Sequence, residues 1–379
     1  MEREFLNDIQ TKRGTLIEAH IADIHFGAIN PRLQYEILVE QYLMTLESLP
    51  ILDIIFVDGD FWDHGVSTSS DTAMYGSMFA DKLVDIARRK NATIGWVEGT
   101  SFHDAKQNKV FSHYMQDPTV DVRIIQEIKF EYIKGAKILC IPELYNIDES
   151  IYQHFLHYSG IYDSCFMHGT FTGAVYGDNV GNGRLFTMAD FDKCRGPIFS
   201  GHVHKPGCFA KHFYYAGTPI RYKHGEEEAK GFLLAAHDLD SGMYQIQFEE
   251  IQSFKYRTIN FDVLISEDPK KIIDYILKLK KDEGIDNIKI RFKTDVSSTM
   301  KTVMNNYFRN INDITLEFQN NAQEVEKKAK EEDELNEFSF ILDDRYTPQE
   351  KFVMYCNTVK GEQFVTVDML ESILAGEDF

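Results

Sequence analysis

The chain predicts an α/β protein. Short apolar runs alternate with segments of helical spacing, and residues 16–22, 53–57 and 92–97 are the clearest of the strand-like runs. Between them, residues 31–49 and 71–90 carry apolar side chains at helical intervals. A strand-helix-strand-helix-strand order of this kind is the pattern of an α/β domain.

Further along, residues 129–141 predict a hairpin turning at Lys134-Gly135, and after Phe232 a second hairpin turns at Asp240-Ser241-Gly242. A separate unit follows. Residues 256–263, 287–294 and 314–318 are strand-like, with helical spacing over 269–281 and 297–309, a β-α-β-α-β order suited to a small α+β domain. Residues 324–337 are rich in Glu and Lys and nearly free of apolar side chains, which suits a solvated helix or a linker. From Phe338 the chain regains hydrophobic character. Thr347-Pro348-Gln349-Glu350 has the form of a capping box, and a second short helix over residues 367–374 stops at Gly376. Two short helices beyond a charged linker cannot bury a core of their own, so they should dock on a partner or back on the parent domain. The expected division is 1–254, 255–320, 321–337 and 338–379.

At 379 residues and 43% hydrophobic, the chain is long enough for two or three packed domains. Five cysteines, Cys140, Cys165, Cys194, Cys208 and Cys356, are scattered and never in CxxC spacing, so neither a disulfide framework nor a zinc ribbon is expected. Met1-Glu2-Arg3-Glu4-Phe5 lacks the basic and apolar regions of a signal peptide, and no apolar run reaches transmembrane length, which predicts a cytoplasmic protein with no membrane partner.

Four short motifs carry the chemistry: Asp23-Ile24-His25, Gly59-Asp60-Phe61-Trp62-Asp63, His168-Gly169 and Gly201-His202-Val203-His204. In an extended strand residues two apart face the same way, so Asp23 with His25, and His202 with His204, should each aim two ligands at one spot. Oxygen from Asp and nitrogen from His, without cysteine, suits manganese, iron or zinc. One such pair arises readily by chance; the ordered set points to a two-metal site for phosphoester hydrolysis.

The order and surroundings of these motifs resemble the calcineurin-like metallophosphoesterases, and within them the SbcD-type nucleases of double-strand-break repair, over roughly residues 16–232. Two further blocks narrow the resemblance: Ile138-Leu139-Cys140-Ile141-Pro142-Glu143, similar to the family's strand ahead of its IPE turn, and Tyr215-Ala216-Gly217-Thr218-Pro219-Ile220-Arg221 followed by Glu226 to Glu228 and Lys230-Gly231-Phe232. The resemblance implies a sandwich of two β-sheets flanked by helices, with a cap domain at 255–320. It implies a DNA nuclease using two divalent cations, most simply manganese, the alternatives being a metallophosphoesterase of another substrate class, such as a cyclic-nucleotide diesterase or phosphatase, and a non-catalytic DNA-end scaffold. It also implies a tail, 338–379, that grips an SbcC-type coiled-coil ATPase, with a homodimer inside a heterotetramer.

By the same resemblance Asp23, His25 and His204 would hold one metal, Asp60 would bridge, and His168 and His202 would serve the second. His103 matches the family's non-ligand histidine, which stabilises the phosphate and helps the sugar oxygen leave. Asp63 or His64 either assists catalysis or simply caps the loop. The motif around His103 departs from the family's Gly-Asn-His. It reads Gly99-Thr100-Ser101-Phe102-His103-Asp104, a form expected of phage-encoded relatives, with Phe102 where the family has a metal-binding Asn. Thr100, Ser101 or water could substitute, and the second metal site is expected to be the weaker. His20, His113, His154, His157, His212 and His224 lack a ligand partner at i+2 and are expected to be structural or surface residues.

A net charge of −20 runs against DNA binding. The last sixty residues carry more than twofold excess of acid over base, whereas Lys193, Arg195, Lys205, Lys211, Arg221 and Lys223 cluster near the histidine motif. Of these, Lys205, Lys211, Arg221 and Lys223 are the candidate DNA contacts, the alternative being an ordinary solvated face.

Overall fold

The structure is a computed structural model that describes residues 14–174 and 183–318, together with Val353. The expected linker, 321–337, and tail, 338–379, lie outside the described residues apart from Val353.

The first half supplies β1 (Thr15–Ile21), β2 (Ile54–Val57), β3 (Thr93–Val97), β4 (Asp121–Ile125), β5 (Lys129–Ile133), β6 (Ala136–Ile141), β7 (Ser164–His168) and the short β8 (Thr170–Phe171). The second half adds β9 (Leu185–Phe186), β10 (Ile198–Gly201), β11 (Gly207–Ala210), β12 (Phe213–Tyr215), β13 (Gly231–Asp238) and β14 (Tyr244–Glu250), then β15 (Tyr256–Phe261), β16 (Asn287–Phe292) and β17 (Ile314–Phe318). Two six-stranded sheets result, ordered β14-β13-β1-β2-β3-β4 and β11-β12-β10-β7-β6-β5. Each has a parallel centre: β1 to β4 run parallel in the first, and β6, β7, β10 and β12 in the second, with antiparallel strands at the remaining edges.

Alternation along the strands makes a sandwich. Ile54 and Phe56 face inward to Ile138, Cys140, Phe166 and Phe199 of the other sheet, while Ile55 and Val57 face outward to Leu38, Leu46, Phe79 and Leu83 on the covering helices. On the far side Leu139, Cys165 and Met167 pack with Tyr152 and Leu156. Helix ends follow local chemistry. Ser70 caps Asp71–Lys90 by accepting from the Ala73 N–H at 3.1 Å, and Asn91 ends that helix in the left-handed conformation after Arg88, Arg89 and Lys90. Asn30 caps Pro31–Leu38. The single helix expected over 31–49 instead passes through a π-turn, Val39–Leu43, before Met44–Ser48.

The described chain divides into two compact units, one reaching Ile259 and including Asp274–Lys289, the other taking Asn260–Ile273 and residues from Ile290 onward. In the second, Phe292 stacks on Phe261 and on Phe318 at 5.3 and 5.0 Å, and the helix Ser298–Phe308 buries Met300, Met304 and Phe308. The chain's third sheet has the order β15-β16-β17.

Candidate metal centre

Six strands of the sandwich end at one place. Asp23 and His25 follow β1, Gly59 and Asp60 follow β2, Gly99 to Asp104 follow β3, Glu143 follows β6, His168 ends β7, and His202 and His204 follow β10. Backbone bonds draw these ends together: Glu143 N–H donates to Glu98 O at 3.0 Å, and Asp23 N–H to Gly59 O at 3.0 Å. Polar groups converge outside the carboxyl ends of parallel strands in α/β folds, and they do so here.

The convergence does not come from strand pleating, which corrects the expectation that Asp23/His25 and His202/His204 share strand faces. β1 stops at Ile21 and β10 at Gly201, so all four residues lie past the strands. Asp23, His25, Asp60 and His202 have φ of 50, 47, 51 and 98°, the left-handed region that non-glycine residues rarely adopt. Each costs on the order of 1 kcal/mol or more, and such residues collect at functional sites. Hydrogen bonds continue past the ends of β1 and β2 to hold them: His25 N–H to Asp60 O at 3.0 Å and Phe26 N–H to Phe61 O at 2.8 Å.

Close approach requires glycine at two points. A Cβ on Gly99 would stand 2.2 Å from Asp60 Oδ1, and one on Gly59 would stand 2.1 Å from His168 Nδ1. Buried Asp104 ties the same loops, accepting from the N–H groups of Asp60, Trp62 and Gly99 at 3.1, 3.1 and 2.8 Å and from Asn108 Nδ2 at 2.9 Å.

The donors form neighbouring groups, each with its ligand atoms within 4.8 Å of one another: Asp23 with His25 and His204; Asp23 with Asp60 and His168; Glu143 with His168 and His202. These could hold metal ions. His25 Nε2 and His204 Nε2 stand 3.1 Å apart. Two nitrogens each about 2.1 Å from a common cation, at right angles around it, stand about 3 Å apart, so this spacing fits shared coordination. Asp23 Oδ1 accepts from the His202 N–H at 2.8 Å, while its buried Oδ2 has no hydrogen-bond partner, as a ligand atom would. Asp60, at the middle of the set, lies 3.3 Å from His168 Nε2 through Oδ2.

Electrostatics agree with the geometry. Burial pushes the His25 pKa down to about 3, leaving a neutral imidazole with a lone pair to donate. Burial opposes ionisation of Asp60, yet His168 outweighs it by charge and hydrogen bond, and the carboxyl stays below its ordinary range. Burial equally opposes charge on His168, which Asp60, Asp23 and Glu143 together hold well above the usual imidazole value. Three carboxylates converging on one imidazole amount to a demand for positive charge that divalent cations would meet.

The histidines are oriented by groups behind them. Glu226 Oε1 accepts from His204 Nδ1 at 2.9 Å, and the carbonyl of Asp58 accepts from His168 Nδ1 at 2.8 Å, the arrangement that fixes tautomer and ring angle in metal sites. The buried Lys230 ammonium donates to His204 O at 2.7 Å.

His103 stands beside the first group, its ring 4.4 Å from that of His25. Its Nδ1 hydrogen-bonds to the Asp63 carbonyl, so that bond engages Nδ1 and not Nε2. Asp63 joins His25 and His103 in a further cluster. Its Oδ2 meets His64 Nδ1 at 3.0 Å, and the half-exposed His64 ring faces outward from that pair.

The basic residues are not all brought together. Lys205, directly after His204, and Lys223 are exposed, and the half-buried Arg221 donates to Phe254 O at 3.3 Å. Lys211 sits in the turn from β11 to β12, beside Phe213, which pairs with Ile198 at the opposite end of β10 from Gly201. Lys193 and Arg195 precede β10 at that far end, paired with Asp192 and Asp163. His20, expected to be structural, is fully buried between Asp58 Oδ2 at 2.9 Å and Glu18 Oε2 at 3.4 Å.

Sequence reasoning missed Glu143, Glu226 and Lys230. In the sequence Glu143 is only the end of a strand motif; in the structure its Oε2 lies 3.1 Å from His202 Nδ1 and 3.4 Å from His168 Nε2. Phe102, at the expected Asn position, is 73% exposed, and Thr100 turns inward instead.

No protein-family model matches the chain, and no curated protein matches it. A solved structure of a protein of unknown function from Aquifex aeolicus is similar over 44% of this chain and 82% of its own, at 16% identity and a TM-score of 0.22. A likeness that weak carries no argument. Among the described residues, no helix is long and apolar enough to cross a membrane.

Proposed function

We propose that the protein is a two-cation phosphodiesterase, a DNA nuclease of the SbcD type that works with a coiled-coil ATPase. The observation that carries the proposal is the run of three adjacent donor groups, linked through Asp23, Asp60 and His168, at the joined carboxyl ends of two parallel sheet centres. Asp23, His25 and His204 would hold one cation, His168, His202 and Glu143 would face the other, and Asp60 would lie between them. Paired cations, most simply manganese, supply Lewis acidity and an activated water for in-line attack on a phosphodiester.

The protein's own groups do the rest. Asp104 and the backbone around Gly59 and Gly99 hold Asp60 in place before substrate arrives. His103, with Nδ1 engaged by the Asp63 carbonyl, presents Nε2 to a phosphoryl oxygen or to the departing sugar oxygen, where an imidazole can donate or accept a proton. Asp63 supports that histidine from its own loop. Lys205, Arg221 and Lys223, close in sequence to His204 and Glu226, are the better placed phosphate-backbone contacts. The ATPase partner, gripped through 338–379, and the dimer are proposed from the sequence resemblance.

The test compares two variants. Asp60→Ala should abolish hydrolysis of a diester substrate together with metal uptake, whereas His103→Ala should abolish turnover with metal content unchanged. Equal metal loss in both removes His103 from its role; a metal-loaded, inactive parent refutes the nuclease.

A further inference from the structure

We infer that Glu143 is a ligand of the second cation, with the Thr100 hydroxyl beside it, in the place where the resembled family uses an amide; the inference rests on the two-cation reading above. Three observations lead there. The first is convergence on one oxygen: Glu143 Oε2 lies 3.1 Å from His202 Nδ1, 3.4 Å from His168 Nε2 and 3.2 Å from Thr100 Oγ1. A plain ion pair needs one partner, and here two imidazole nitrogens and a hydroxyl meet one carboxylate oxygen, as ligands around a common centre do.

The second is that the carboxylate is held rather than swinging. Tyr145 donates its hydroxyl hydrogen to Oε1 at 2.6 Å, and the Glu143 N–H is bonded to Glu98 O at 3.0 Å, so the strand end is fixed and Oε2 is the oxygen left for the cluster. The side chain is only 5% exposed. The third is Thr100. Its Oγ1 donates towards Asp60 Oδ2 at 3.1 Å and lies 3.5 Å from His168 Nε2, which puts a neutral oxygen between the bridging carboxylate and the second group. The residues inserted before His103 push Phe102 out to solvent and bring Thr100 in.

The exchange alters the site's character. An amide is a neutral donor; a glutamate adds a third carboxylate to Asp23 and Asp60. Anionic oxygen favours hard cations, so the second position should prefer manganese or magnesium over softer metals. It also means the second position is not the weak one that the loss of an Asn would leave.

Manganese titration by calorimetry, metal content after desalting, and the electron paramagnetic resonance of a spin-coupled manganese pair test this on the full chain. The variants are Glu143→Gln, Glu143→Ala and Thr100→Val. The parent should take up two ions with affinities within about tenfold of each other. Glu143→Ala should weaken the second step by about tenfold or more, leave the first, and abolish the coupled signal. Glu143→Gln, isosteric and so safe for folding, should fall between, and Thr100→Val should lose less. Parent-like uptake and an intact coupled signal in both Glu143 variants would overturn the assignment. A parent that binds no cation would overturn the two-cation reading itself, and this assignment with it.

Discussion

Glu226 offers a sharp test of how the first donor group is built. Its carboxylate accepts two hydrogen bonds, from His204 Nδ1 at 2.9 Å and from the Tyr222 N–H at 2.9 Å, and it is 5% exposed. Burial opposes its charge, but the His204 bond and the neighbouring Lys230 hold its pKa at about 2. Because Nδ1 must carry the hydrogen in this pairing, Nε2 keeps its lone pair for the spot it shares with His25. In Glu226→Gln the amide can accept only one of the two bonds. If its oxygen faces Tyr222, its NH₂ group faces Nδ1, which moves the imidazole hydrogen to Nε2 and blocks coordination; if it is reversed, the Tyr222 N–H loses its acceptor. Loss of such a supporting partner typically weakens metal affinity by about 10- to 100-fold, or about 1.4 to 2.7 kcal/mol. Calorimetric manganese titration should therefore show the Asp23, His25 and His204 step weakened in Glu226→Gln, and more so in Glu226→Ala, with the Glu143 step little changed. Both variants binding within twofold of the parent while remaining folded would refute the reasoning.

Two further predictions concern stability. Asp104→Ala strips the acceptor from four donors at once, and at about 1 kcal/mol or more for each the loss is on the order of 4 kcal/mol, a large part of a typical folding free energy. Urea unfolding that shifts by less than 1 kcal/mol would show that water replaces the carboxylate. The buried Glu18–His20–Asp58 cluster predicts a pH dependence. Burial works against both charges, but Asp58 and Glu18 raise His20 from 6.5 to about 9, while His20 and His237 lower Glu18 from 4.5 to about 2. The His20 contribution is complete below pH 6.5 and lost as pH rises through 9; that of Glu18 is complete above 4.5 and lost as pH falls towards 2. Between pH 6.5 and 9 the parent should lose on the order of 3 kcal/mol relative to His20→Gln in urea titrations, and parallel curves for the two proteins would contradict it.

Much of this was legible in the sequence, for definable reasons. Buried strands announce themselves as apolar runs, so Ile54–Val57 and Thr93–Val97 fell within a residue or so of their expected places, and the turns at Lys134-Gly135 and Asp240-Ser241-Gly242 sit where glycine was needed. The identities of Asp23, His25, Asp60, His168, His202 and His204 were readable because few residue types ligate metals. How they converge was not, since a left-handed φ at Asp23 or His202 leaves no mark in residue type. Glu143 was hidden for a related reason: Thr100, His168 and His202 are 43, 25 and 59 residues away, and it takes the pairing of β6 with β7 and of β7 with β10 to bring in the two histidines and the meeting of the two sheets to bring in Thr100. Lys211 shows the converse error. It is seven residues from His204 in sequence, but the hairpin from β11 to β12 carries it to the other end of the sheet.

The hydrogen bonds that continue beyond β1 and β2 have a consequence for the order of events in the life of the molecule. Asp23, His25 and Phe26 are zipped to Gly59, Asp60 and Phe61 by main-chain bonds alone. None of these bonds needs an ion to form. In small zinc domains the ion drives folding, and apoprotein and unfolded chain are the same thing. Here the main-chain bonds alone can complete the scaffold, so on the two-cation reading any cations would load onto a chain already folded. If the proposed two-cation activity holds, chelation should produce a folded, dormant protein that metal revives within the time of diffusion and ligand exchange, and metal supply would act as a throttle without consuming the protein.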